Sequence, residues 1–176
     1  MKLLKQNSTK ITARHEVVSL GLKSIFCLIL LLCTSLTIAQ QTEVNWLSFE
    51  ELEQELAKQP KKVLVEFYAD WCVYCKKMEQ SVFTKPDIKK AIAKEYYAIR
   101  FNVETMDTIA FGGQTFVNKN YGKKRSAFHE IPELLAGRPK QSLDLPATVI
   151  LNEKFEIIAR YYRYISPKEM LLILKQ

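Results

Sequence analysis

Hydrophobic positions along the chain fall into helical repeats and uninterrupted runs. After the pair Ser48 and Glu51, which reads as a capping box, Phe49, Leu52 and Leu56 recur at helical spacing. They predict a helix from about residue 49 to Lys58, ended by Pro60. Residues Lys62 to Tyr68 then form a run, Val63-Leu64-Val65-Glu66-Phe67, with no alternation to leave a face toward water. That predicts a strand buried on both faces. A helix opened by Cys72 should run to about Val82, and Thr84 with Asp87 frames a further helical start whose inner face carries Ile88, Ala91 and Ile92. Tyr96 to Val103, rich in aromatic and branched residues, is a second strand.

Residues 105–145 break the rhythm, and a structureless loop of that length is out of place in a compact domain. Thr108 to Phe111 and Gln114 to Val117 flank Gly112-Gly113, the signature of a small hairpin with a two-residue turn. Asn118 to Arg125 reads as a polar, basic surface loop. Ser126 to Ala136 reads as a helix with Ser126 as its cap and Gly137 as its stop, Pro132 delaying its regular part. Ala147 to Leu151 is another apolar strand, and Asn152-Glu153-Lys154 turns it into Phe155 to Tyr162 as a terminal hairpin. Ser166, Pro167 and Glu169 open a last helix that Met170, Leu171 and Leu174 dock on the sheet. The order α-β-α-α-β-insert-α-β-β-α predicts an α/β domain, a mixed sheet covered by helices.

Charge changes this picture only at the N-terminus. The chain of 176 residues carries a formal net charge of +7. Residues 1–39 hold Lys2, Lys5, Lys10, Arg14 and Lys23 against Glu16 alone, and the remainder is nearly balanced, so nucleic acid is not an expected partner. The basic segment runs into the apolar stretch Ile25 to Cys33, then into smaller residues with Thr37 and Ala39 ahead of Gln40. This is the pattern of a cleavable signal peptide over residues 1–39, with an uncleaved anchor as the alternative. The domain expected to remain is 40–176, outside the cytosol.

Four cysteines are present, and Cys27 and Cys33 go with the apolar segment. The pair Cys72 and Cys75 is left, delivered by a buried strand to the first turn of a helix. Unpaired amide N–H groups there stabilise a thiolate, which points to a dithiol–disulfide redox site. A plain structural disulfide is the competing reading, weakened because so small a ring restrains little chain entropy. Zinc lacks a second Cys-x-x-Cys, and haem attachment would need histidine where Lys76 stands. No metal and no cofactor beyond the cysteine pair is expected.

The element order and the residues Phe67-Tyr68-Ala69-Asp70-Trp71-Cys72-Val73-Tyr74-Cys75-Lys76 resemble the thioredoxin superfamily. The similarity is to its exported members, including the soluble reducing domain of bacterial membrane disulfide reductases. It covers about residues 45–104 and 126–176, and residues 105–125 are an insertion into the plain pattern. The resemblance implies a thioredoxin fold and assigns roles. Cys72 would be the nucleophile and the more exposed cysteine, and Cys75 the resolving thiol. Glu66, whose alternative is an outward-facing edge residue, would be a buried proton acceptor. Pro146 would be a cis proline beside the disulfide, turning the Leu145 backbone toward a substrate peptide. Arg100 would lie near Glu66 or else be a solvated strand-end residue. Trp71 would pack beside the motif and shield it, Lys76 and Lys77 would modestly favour the Cys72 thiolate, and His129 would be a helix surface or packing residue.

The expected activity is protein-disulfide reduction or exchange in an exported compartment, the periplasm in a bacterium. Its partners would be exported disulfide-containing proteins and a membrane disulfide reductase as electron donor. The alternative is a thioredoxin-fold binding or chaperone-like module whose insertion, through Phe111, Phe116 and Tyr121, contacts a partner.

Overall fold

The computed structural model describes residues 43–123 and 127–176. The expected signal segment and the Ser126 cap lie outside them. Among the described residues, seven strands and five helices follow in the order β1 (Trp46–Leu47), α1 (Phe49–Lys58), β2 (Lys62–Tyr68), α2 (Val73–Ser81), α3 (Pro86–Glu95), β3 (Tyr96–Asn102), β4 (Ile109–Phe111), β5 (Gln114–Phe116), α4 (Glu130–Ala136), β6 (Ala147–Leu151), β7 (Ile157–Tyr161) and α5 (Pro167–Leu174). Five strands form one sheet in the order β1-β3-β2-β6-β7, with β4 and β5 paired separately. The sheet is mixed: β1 and β2 run parallel to β3, while β6 is antiparallel to both β2 and β7.

Strand β2 lies at the centre because its sequence leaves it nowhere else to go. Val63, Val65 and Phe67 point to one face and pack with Phe49 and Leu52 of α1 and Ile131 and Leu135 of α4. Leu64 points to the other and packs with Met78 and Val82, Ile88 and Ile92 of α3, and Met170 and Ile173 of α5. Each of these β2 side chains is fully buried, and each contributes on the order of 1.5–3 kcal/mol of transfer free energy.

Helix starts follow local chemistry, with two corrections to the sequence reading. The Ser48 and Glu51 capping box forms as expected, each side chain bonding the other's backbone N–H. Thr84 does not cap α3: its hydroxyl donates back to the Gln80 carbonyl, Lys85 takes the cap position without a side-chain bond, and Pro86 pre-sets the first turn. Helix α4 begins at Glu130, capped by His129, whose Nδ1 accepts from the Ile131 N–H. The two-residue β1 was not predicted at all, since so short a strand carries no periodicity.

The insertion folds as a hairpin. Gly112 and Gly113 both have positive φ, 61° and 70°, the geometry a tight two-residue turn requires and glycine supplies without a Cβ clash. Phe111 packs edge-on against Phe49 and beside Phe155, and the Ala110 and Gly112 N–H groups donate to Glu50 and Glu53 of α1. Asn118 Nδ2 donates to the carbonyls of Thr105 and Ala127 and draws the two ends of the insertion together.

His129 is no surface residue. It is completely buried, edge-on to Phe101, with its backbone N–H on the Val103 carbonyl and its Nε2 3.2 Å from the Asp107 carbonyl. One ring nitrogen caps α4 and the other ties the start of the insertion. Replacing His129 with alanine should therefore lower unfolding free energy by about 2 kcal/mol, as a lost cap and the space left by a fully buried ring imply. Urea unfolding of the two proteins measures it, and a loss below about 0.5 kcal/mol, within the range of a neutral surface change, would contradict the double role.

Candidate active site

The carboxyl end of β2 and the head of α2 are joined by a four-residue connection, residues 69–72, that brings Cys72 to the helix cap. Cys72 N–H donates to the Ala69 carbonyl, which closes the turn, and the Cys75 N–H points at Cys72 Sγ from 3.1 Å. The two cysteines are joined as a disulfide, with their Cα atoms 5.3 Å apart. Cys72 is 4% exposed and Cys75 2%, so the greater exposure expected of Cys72 is only marginal in this oxidised state. What lies open is the rim: Trp71, Val73 and Tyr74 are each more than half exposed. The Trp71 ring is thus an exposed wall of the site, held at its edge by a 3.0 Å hydrogen bond from Nε1 to Glu104.

Glu66 lies on β2, the strand that leads into this turn. Strand β2 has a neighbour on each side, so the edge alternative does not hold, and the side chain is 1% exposed. Its register partners are Arg100 on β3 and Thr148 on β6. Thr148 donates its hydroxyl to Oε2 at 2.8 Å, while Oε1 has no protein partner among the described residues. Burial pushes the carboxyl up from 4.5 to about 8, against the smaller opposing pulls of the Thr148 hydrogen bond and the Arg100 charge.

Arg100 lies near Glu66, as the resemblance implies, being its register partner. It lies within β3 rather than at a solvated end, and its guanidinium makes a two-nitrogen fork on Glu79 of α2, at 2.6 and 2.9 Å, rather than a bond to Glu66. The Tyr68 ring lies 4.2 Å beneath it.

Pro146 enters from a distant part of the chain. The Leu145–Pro146 peptide bond is cis. The pairing of Ala147 with Phe67 sets Pro146 level with the carboxyl end of β2, the end from which the chain leads to Cys72. Leu145 packs against the core cluster that includes both cysteines. Lys76 is exposed, and Lys77 lies over the Tyr164 ring at 4.8 Å. Among the described residues no three histidine, cysteine or acidic side chains gather as metal ligands.

Sequence reading missed Thr148, Glu79, Glu104 and Tyr164. Thr148 had a signal, since a hydroxyl inside the apolar run Ala147 to Leu151 needs a partner as much as Glu66 does. Glu79 and Glu104 had none, because exposed-looking acids on a helix and a loop are the commonest pattern there is.

A family profile described as thioredoxin-like matches residues 45–133. Among curated proteins, the thiol:disulfide interchange protein DsbD of Haemophilus ducreyi is 51% identical over 47 residues, which are 26% of this chain and 8% of that protein. DsbD of Escherichia coli K12 is 39% identical over 61 residues, 32% of this chain and 11% of that protein. The chain thus spans about a tenth of the length of these relatives. Of solved structures, a thioredoxin from Thermus thermophilus aligns with a TM-score of 0.52 at 19% identity, over 77% of this chain and 87% of that one. A thioredoxin-fold protein from Helicobacter pylori aligns at 0.51 and 17% identity, over 78% of each chain. Both establish the fold.

The raised carboxyl carries a stability signature. In the unfolded chain Glu66 releases its proton near its ordinary value, 4.5, and in the folded protein only near 8. The stability of the buried neutral form is complete below the first value and is lost as pH rises through the second. Glu66→Gln removes that loss. Its Tm should match the wild type near pH 4 and exceed it by roughly 15 °C at pH 8. Thermal unfolding across that range measures it, and two parallel curves would contradict the burial of an ionisable carboxyl.

Proposed function

The chain belongs to the thioredoxin-like family, and from that membership we propose that it is a thiol–disulfide oxidoreductase acting through Cys72 and Cys75. The single observation that carries the reading is a disulfide at the cap of α2 with a buried carboxyl on the strand that feeds it. In the reduced protein, the helix N-terminus and the Cys75 N–H favour the Cys72 thiolate. That thiolate attacks one sulfur of a substrate disulfide, the substrate S–S bond breaks, and one substrate thiolate leaves as a mixed disulfide forms. Cys75 then gives its proton to Glu66 and attacks Cys72 Sγ. The second substrate thiol departs, the substrate is reduced by two electrons, and Cys72–Cys75 is left oxidised.

Glu66 suits the proton step because of its burial. A free cysteine ionises near pH ~8.5, and an ordinary glutamate is too weak a base for it. A carboxyl raised to about 8 is nearly matched to the thiol, so the transfer is close to thermoneutral. Pro146 and the Leu145 backbone form the wall on which an extended substrate segment pairs. Lys76 adds positive charge near the first turn of α2.

The substrates are disulfide-containing exported proteins, and a membrane disulfide reductase returns electrons to the pair. The compartment is the periplasm of a bacterium. Support for export is the apolar run Ile25 to Cys33 behind its basic segment, and support for the direction of electron flow is the combination of a buried acid with Trp71 before Cys72. The insertion-centred binding reading is the weaker one, since Phe111 is committed to packing on Phe49 and Phe155.

Two substitutions test the exchange. A Cys75→Ser variant should accumulate mixed disulfides through Cys72, seen as thiol-sensitive adducts on non-reducing gels, while Cys72→Ser should reduce insulin no faster than buffer thiol alone. Adducts that persist without Cys72, or insulin reduction that survives its loss, would overturn the mechanism.

A further inference from the structure

Three adjacent strands place a row of polar side chains on one face of the sheet: Thr148 of β6, Glu66 of β2 and Arg100 of β3 are register partners in turn. Register partners point the same way, so the Arg100 stem and the Glu66 carboxyl leave the sheet side by side. They do not bond to each other. Glu66 Oε1 and Arg100 Nε are both buried, and neither has a protein partner among the described residues. The Arg100 terminal nitrogens are instead taken by the two carboxylate oxygens of Glu79, with the ring of Tyr68 beneath the guanidinium. Such a planar fork fixes direction as well as charge.

We propose that Glu79 is a positioning residue for Glu66: its fork holds the Arg100 guanidinium away from the buried carboxyl and half-neutralised, so that Glu66 keeps the environment of a base. Released from α2, the guanidinium has Glu66 Oε1 as an unpaired acceptor on its own row. An ion pair there would favour the carboxylate strongly and leave a poor proton acceptor. Of the charged side chains on the elements packed there, Lys89 of α3 is buried but bound to Glu43, and Lys77 of α2 lies over the Tyr164 ring. Tyr68 stands beside the pair, and Tyr161 of β7 is one step further along the row, opposite Thr148. The other elements packed there, α3 and α5, contribute Ile88, Ile92, Met170 and Ile173.

The inference rests on the reading of Glu66 as proton acceptor for Cys75, and the test separates the two. The Glu66 carboxyl is followed by carbon-13 NMR in the oxidised full-length chain, where no thiol takes part. Glu79→Asp keeps the charge but is too short to hold the fork, and it should move the Glu66 midpoint down by about one pH unit. Glu79→Gln should move it at least as far, whereas in an Arg100→Gln background it should move it hardly at all. A midpoint unchanged by Glu79→Asp would overturn the positioning role. So would an equal shift from Glu79→Gln with and without Arg100, which would mean that Glu79 acts by its own charge alone. Glu79 is half exposed, so its substitutions leave the fold intact, and the Asp variant decides the matter even where Arg100→Gln does not fold. The pH profile of mixed-disulfide resolution is then measured on the same variants. A profile that moves with the Glu66 midpoint supports both readings, and a profile that stays still while the midpoint moves overturns the proton-acceptor role alone.

Discussion

One carboxyl group, placed where a protein interior least tolerates it, sets the character of this molecule. Glu66 stands mid-strand at the centre of the sheet and, among the described residues, has a single hydrogen bond, from Thr148, and one oxygen unpaired. Its charge would be costly there, so it keeps its proton to about pH 8. A neutral glutamine would fill the space at less expense to stability. The glutamate is a group able to exchange a proton, and it stands on the strand whose carboxyl end leads to Cys72.

The surrounding fold is arranged so that four segments far apart in sequence meet at that point. Parallel pairing of β2 with β3 brings Arg100 level with Glu66, and antiparallel pairing with β6 brings Thr148 level on the other side. The same β6 register carries Pro146 to the end of β2 where the chain turns toward Cys72. Helix α2 offers Cys72 and Cys75 from its first turn and Glu79 from its last, so one helix holds both the redox pair and the acid that binds Arg100. The insertion leaves the sheet beside this site and is stapled down by His129, Asn118 and the α1 carboxylates, ahead of the helix that His129 caps.

What the sequence made legible was whatever depends on local pattern. The continuous apolar run of β2, the capping box at Ser48, the glycine pair of the hairpin and the cap-proline start of α5 each determine a structure within a few residues. Glu66 was legible too, because a lone acid inside an apolar run has to be explained. What stayed hidden depends on register and on contacts across the sheet. Nothing near Arg100 in sequence announces that its guanidinium goes to Glu79, and nothing near His129 announces that it caps one element while tying another. Strand β1 is two residues long and exists only because β3 offers it an edge.

The central claim, that Glu66 shares its proton economy with the dithiol, is tested most directly by the reduction potential of the Cys72–Cys75 pair as a function of pH, in the wild type and in a Glu66→Gln variant. If the carboxyl and the thiols are coupled, reduction takes up an extra proton once Glu66 has ionised in the oxidised protein. The wild-type potential then falls more steeply above about pH 8, and the variant does not show the break. Two curves of the same shape, offset or superposed, would mean that the carboxyl does not sense the redox state of the pair, and the account would be wrong at its centre.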